Sequence, residues 1–148
     1  MPENLAALVR FVEERIAEDE STAQAATPGP WLAEPNGSIV GPSGHLPKLA
    51  GHVVCSVGAW DVGRPTPQDA AHIARNDPAR VLRDVAAKRQ LLRFYDDLSA
   101  IVVECSGLLI GPGMRRIHAE HGRLLAAMAA VWCRHPDFQP EWLPEEAG

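Results

Sequence analysis

Thr27-Pro28-Gly29-Pro30-Trp31 narrows what this chain can fold into more than any other segment. Each proline disfavours helical geometry in the residue before it, and glycine tolerates a positive φ, so no helix crosses this point and the chain must turn. The segment before it is written for a helix: Leu5, Leu8, Val9, Val12 and Ile16 fall on one stripe, with Glu13, Glu14, Glu18 and Asp19 on the other side. That periodicity predicts an amphipathic helix from Glu3 to about Ala25. The corner then delivers Trp31.

Past Trp31 the period shortens. Trp31-Leu32-Ala33, Ser38-Ile39-Val40 and His52 to Val57 are short apolar pieces separated by Asn36-Gly37, Gly41-Pro42 and Gly51. Asn-Gly between apolar runs signals a hairpin with a two-residue type I′ turn. A small antiparallel sheet of two or three strands is expected over residues 31–57, followed by a loop from Gly58 to Pro65.

Helical signals then return. Thr66-Pro67-Gln68-Asp69 supplies a capping hydroxyl, a proline at the first helical position and an acid in the first turn, opening a short helix that holds Ala70 to Arg75. Asn76-Asp77-Pro78 repeats the signal for a longer helix, with Val81, Leu82, Val85, Leu92, Tyr95 and Ile101 near one stripe. Gly107 to Gly113 breaks the pattern. Ile117, His121, Leu124, Leu125, Met128 and Val131 mark a last helix from about Met114 to Arg134, stopped by His135-Pro136. From residue 136 an extended tail is expected, anchored by Phe138 and Trp142. The fold class is therefore α+β and mostly helical: three to four helices, with the small sheet between the first and second. The 148 residues, 46% of them hydrophobic, suit one domain with one core.

Charge and cysteine usage narrow the function classes. The net charge is −5, with acids gathered between Glu13 and Glu20 and between Glu141 and Glu146. Nucleic-acid binders carry the opposite sign, and the basic residues from Arg75 to Arg93 are interrupted by Asp77 and Asp84, as on a solvated helix face. No nucleic-acid partner is expected. Cys55, Cys105 and Cys133 are widely spaced and odd in number, which favours reduced core thiols over a disulfide framework and points to the cytoplasm. The sequence carries no basic-then-apolar leader and no apolar run near the ~18 residues of a membrane span, so no membrane is expected.

Several residues could carry chemistry. Asp69 and His72 share a face of the short helix, and with Asp77 they could form an acid–base or metal-dependent hydrolytic set, Arg75 or Arg80 neutralising an anionic substrate. The same positions equally suit helix capping and packing. His118 and His121, with Cys133 and His135 beyond, offer nitrogen and sulfur to zinc but lack a finger spacing. No Gly-x-Gly-x-x-Gly, phosphate-binding loop, Gly-x-Ser-x-Gly or His-Glu-x-x-His occurs. Gly107 to Gly113 suits an interhelix loop better than a phosphate cradle. Trp31, Trp60, Trp132 and Trp142 could line a groove or a partner surface, or anchor core and tail.

Taken in order, Leu8 to Phe11 with Ala17 to Glu20, Ala25 to Trp31, Ala71 to Leu82, Ala87 to Leu92, and His135 to Phe138 with Glu141-Trp142 resemble an actinobacterial and phage family, domain-of-unknown-function family 6221. A fainter similarity extends to Ead-like proteins of tailed phages, which pair a Pro-Gly-Pro-Trp junction with a later short helix and a second helix start. The resemblance implies a fold and an origin, and no activity. Some relatives carry a cysteine cluster before the last helix, where this chain has only Cys105. The leading expectation is a non-catalytic binding or interaction module, with a protein partner or self-association, that contacts its partner through Trp31, His72, Arg75 and Arg80. The alternative is a small hydrolase using Asp69, His72 and Asp77. No cofactor is expected, zinc being the one metal with candidate ligands.

Overall fold

Helix α1 spans Leu5–Ala25 and ends where the prolines require. The computed structural model describes residues 5–42, 53–55, 65–104 and 112–143. Among these lie β1 (Leu32–Ala33), β2 (Ile39–Val40), β3 (Val53–Cys55), α2 (Pro67–Arg75), α3 (Pro78–Glu104) and α4 (Pro112–Ala129), with short 3-10 turns at Ala130–Trp132 and Pro140–Trp142. The expected α+β order is therefore present, with four helices and a three-stranded antiparallel sheet in the order β1-β2-β3 between the first and second. Trp60, Cys105, the glycine-rich segment up to Gly111, the strand ends His52 and Ser56-Val57, the loop from Gly58 to Arg64, the helix start at Glu3 and the acids Glu145 and Glu146 lie outside the described residues. The chain divides into two compact units, Glu18–Ala86 and Met1–Ala17 with Ala87–Gly148.

In the Glu18–Ala86 unit, the Thr27–Trp31 corner is held by a single carboxylate. Asp77, only 7% exposed, is the N-cap of α3: its Oδ1 accepts the Arg80 backbone N–H at 2.7 Å. Its Oδ2 accepts the Trp31 backbone N–H at 3.1 Å. A Cβ on Gly29 would stand 2.6 Å from that same oxygen, and the Gly29–Pro30 peptide is cis. Gly29 is therefore needed for close approach and not for a positive φ, which among the described glycines belongs to Gly37. The Trp31 indole turns back and donates to the Thr27 carbonyl at 2.9 Å, tying the corner to itself.

The hairpin that follows has a three-residue loop where a two-residue one was expected. Glu34 N–H donates to the Ser38 carbonyl at 2.8 Å and Gly37 N–H to the Glu34 carbonyl at 2.9 Å, so Pro35 and Asn36 are the central turn residues. Gly37 then takes φ 87°, the left-handed position of such loops. Pro35 explains the difference: a two-residue loop would set it opposite Ser38 with no N–H to donate, whereas its φ near −65° suits the first central position of a type I turn. The register pairs Leu32 with Val40 and Ala33 with Ile39, while β3 joins through Ile39–Cys55. Fully buried Ile39 packs with Ala70 and Ala74 of α2, and Trp31, Val54 and Cys55 close the cluster.

The other unit, which holds α4, is built on the first half of α1. Leu8, Phe11, Val12 and Ile16 are buried, and Phe11 meets His135, Phe138 and Trp142 with ring centroids 5.7, 5.9 and 5.0 Å away. Helix α4 starts earlier than expected, at Pro112, and tightens into a 3-10 turn after Ala129. The tail is not extended: Phe138 N–H donates to the His135 carbonyl at 3.0 Å and Trp142 N–H to the Gln139 carbonyl at 3.0 Å, a run of tight turns that buries Trp142 to 2% exposure.

Three substitutions test this packing. Asp77→Ala removes an N-cap and leaves two backbone donors without their acceptor, an expected loss of about 2–4 kcal/mol in chemical denaturation; Gly29→Ala, which overpacks the same contact, is expected to cost about 1–3 kcal/mol. Trp142→Ala should cost about 3–5 kcal/mol, and an unchanged melting temperature would show that the tail is not part of the core.

Candidate functional site

Local structure decides what the chemistry-bearing side chains can do. At the start of α2, Thr66 Oγ1 accepts the Asp69 N–H at 3.1 Å, and Asp69 Oδ2 accepts the Thr66 N–H at 3.3 Å and its hydroxyl at 2.8 Å. This is a reciprocal capping box, and it occupies Asp69. At the other end, Asn76 N–H donates to the Ile73 carbonyl at 3.0 Å and its side-chain amide to the His72 carbonyl at 2.7 Å. Asp77 caps α3 immediately afterwards. The two carboxylates proposed for acid–base work thus bind backbone or hydroxyl donors at three different places, whereas His72 and Arg75 stand exposed on the open side of α2. Arg80 is half-exposed, its Nε 3.8 Å from the Asp84 carboxylate.

Trp31 is half-buried, and its exposed edge borders a shallow groove of about 290 Å³ shared with Thr22, Ala23, Asn76, Pro78 and Val81. Of the residues named from sequence for this region, Trp31 and Asp77 are brought together by a hydrogen bond. Asp69 and His72 share α2, but Asp69 is turned to Thr66.

The histidines near the C-terminus face different partners. His118 Nε2 lies 3.2 Å from Ser99 Oγ and its ring stacks on Tyr95 at 5.6 Å. His121 Nδ1 lies 2.8 Å from its own helix's Ile117 carbonyl, and its ring sits 5.4 Å from Phe94. His135 lies against the buried Arg15, whose Nη1 is 2.9 Å from Nδ1 and 2.7 Å from Nε2. Cys133 is exposed. Among the described residues, no three histidines, cysteines or acids are grouped as metal ligands.

Residues missed in the sequence matter as much. Arg15, 5.3 Å over the Phe11 ring and 3.7 Å from Asp137, is a charged side chain inside the apolar stripe of α1. Its signal was its position, between Val12 and Ile16 and four residues after Phe11. Phe11, Glu14, Pro136, Asp137 and Phe138 rim an open groove of about 540 Å³ there. The second omission is a face. On α3 and α4 several large apolar side chains are open to solvent, Leu91 and Phe94 at 55% and Leu124 at 61%, as is Val131 of the turn after α4 at 67%. Ile101, placed in the buried stripe from sequence, is on this open face as well.

No curated protein and no solved structure matches the chain. A family model does, over residues 5–144, and the chain belongs to DUF6221, a family of unknown function.

Proposed function

We propose that the chain is a non-catalytic interaction module whose partner surface is the Trp31 corner with the open side of α2. The observation that carries this reading is the use of the acids. Asp69 and Asp77 hold helix starts and the corner, so the side chains left for a partner are His72, Ile73, Arg75 and the edge of Trp31. An exposed aromatic edge, an apolar residue and a cation together suit an acidic, partly apolar protein segment. The partner, the cytoplasmic setting and the link to actinobacterial or phage biology, including Ead-like proteins, belong to the same proposal, the last resting on sequence resemblance alone. The hydrolase alternative draws no support from an arrangement in which Asp69 and Asp77 are engaged apart from His72.

The test compares proteins captured from the native host by the wild-type chain and by Ile73→Asp and Arg75→Glu, both expected to keep the wild-type melting temperature. Loss of the same captured protein in both variants supports the surface; equal capture counts against it. A hydrolytic activity abolished by His72→Ala would favour the alternative.

Zinc is not required by this reading. Untagged protein is expected to carry well under one equivalent of metal and to melt at the same temperature with a chelator. Stoichiometric zinc lost in Cys133→Ser or His118→Ala would shift the reading to those ligands.

A further inference from the structure

Of the three asparagines in the chain, only Asn36 is followed by glycine. That pair carries chemistry of its own. The Asn36 side-chain amide is an electrophile, and the backbone nitrogen of Gly37, with no Cβ beside it, is an unhindered nucleophile one residue away. When the Gly37 nitrogen gives its proton to water or hydroxide and bonds to Asn36 Cγ, the Cγ–Nδ2 bond breaks and ammonia leaves. The product is a five-membered succinimide. Water then opens one of its two carbonyls, leaving aspartate or, where the main chain now runs through the former side chain, isoaspartate.

The hairpin loop holds both reacting groups away from this step. Gly37 N–H donates to the Glu34 carbonyl at 2.9 Å, and Asn36 Oδ1 accepts the Ser38 N–H at 2.8 Å. Asn36 is the second central residue of the turn, a position where ψ is about 0°. Ring closure needs Cγ, Cβ and the Gly37 nitrogen in one plane with the Asn36 Cα and carbonyl carbon, and that ψ turns the nitrogen out of it. Gly37 is fixed as well: it is buried, its φ is 87°, and a Cβ on it would stand 2.5 Å from the Pro65 carbonyl oxygen. Turning Asn36 into the reactive geometry therefore breaks two hydrogen bonds and lifts Gly37 off Pro65. Asn36 itself is exposed, so water reaches it as soon as the loop opens.

We propose that Asn36–Gly37 is a self-modification site gated by this hairpin: inert in the closed loop, converted when the loop opens and, as isoaspartate, unable to close it again. The site is independent of the Trp31 surface. Its two products act differently on the loop. Aspartate keeps an oxygen where the amide oxygen was, so the Ser38 N–H retains its acceptor. Isoaspartate adds a methylene, about 1.5 Å of main chain, between the Asn36 Cα and Gly37. The Gly37–Glu34 and Glu34–Ser38 bonds then no longer fit together beside the Leu32–Val40 and Ala33–Ile39 pairs. Ile39 packs with Ala70 and Ala74, so the change reaches α2.

Ageing of the full chain at mildly alkaline pH tests this, with peptide mass mapping to follow loss of the Asn36 amide in native protein and in protein unfolded by guanidinium. The native chain is expected to convert about 30-fold or more slowly than the unfolded one, as the ratio of closed to open loop dictates. Pro35→Ala, which frees a central turn residue, should speed the native conversion about 2- to 5-fold and leave the unfolded rate unchanged. Asn36→Asp should melt with the wild type, whereas the isoaspartate form, separated from aged protein, should melt about 5 °C lower. An unfolded chain that stays unconverted, a native chain that converts as fast, or a native rate indifferent to Pro35→Ala overturns the gate. An isoaspartate form that melts with the wild type overturns its failure to close the loop.

Discussion

The Asp77 carboxylate, 46 residues along the chain from Trp31, joins two events: Oδ2 takes the Trp31 N–H and Oδ1 takes the Arg80 N–H. One oxygen fixes the exit of the proline corner, and the other supplies the acceptor that the first turn of α3 lacks. A buried acid with two backbone donors needs no side-chain partner, which is why it can sit among Gly29, Pro78 and Ala79. Glycine at 29 follows from this, since a methyl there would occupy the space of the carboxylate. So does the place of β1, which begins at the residue after the hydrogen-bonded Trp31. Much of the Glu18–Ala86 unit is thus organised by backbone hydrogen bonds that end on polar side chains: Asp77, the Thr66–Asp69 box and Asn76.

This explains which parts were readable from sequence. Helix starts were legible because the chemistry is local: in Thr66-Pro67 and Asp77-Pro78 a capping side chain precedes a proline that fits the first helical position, and a helical run follows. Gly29 and Gly37 show the limit. Both stand in segments that spell a turn, and the left-handed φ of Gly37 belongs to its own turn, but what crowds each glycine lies far along the chain, the Asp77 carboxylate for one and the Pro65 carbonyl for the other. Pro35 changed the hairpin loop for a reason that was in the sequence, since it has no N–H to pair with Ser38 across the two-residue loop that Asn36-Gly37 alone suggests.

Periodicity located α3 and α4 but could not say which stripe is the core. Of the residues that mark the last helix in the sequence, Leu125 is buried beside Gly122, Ala126 and Ala129, whereas Ile117 and Leu124, and Val131 just past α4, are exposed. Hydrophobic content measures what would gain from leaving water; close helix packing is decided by what fits, and small side chains let backbones approach. A helix apolar on more than one side carries two such faces, and sequence alone does not order them. The same ambiguity hid Arg15, whose guanidinium is buried against Phe11 and His135 in a stripe that reads as purely aliphatic.

The surface proposed for a partner has a physical property that bears on how it would bind. Trp31 cannot swing freely: its backbone N–H is held by Asp77 and its indole N–H by Thr27, so its exposed edge is presented in one orientation. Ordering side chains and loops is one of the main costs of association, about 0.5–1.5 kcal/mol for each mobile side chain. This surface bears little of that cost at the corner, so modest apolar area can go further than on a loop. The acids that might have served catalysis are the means by which the corner is held rigid.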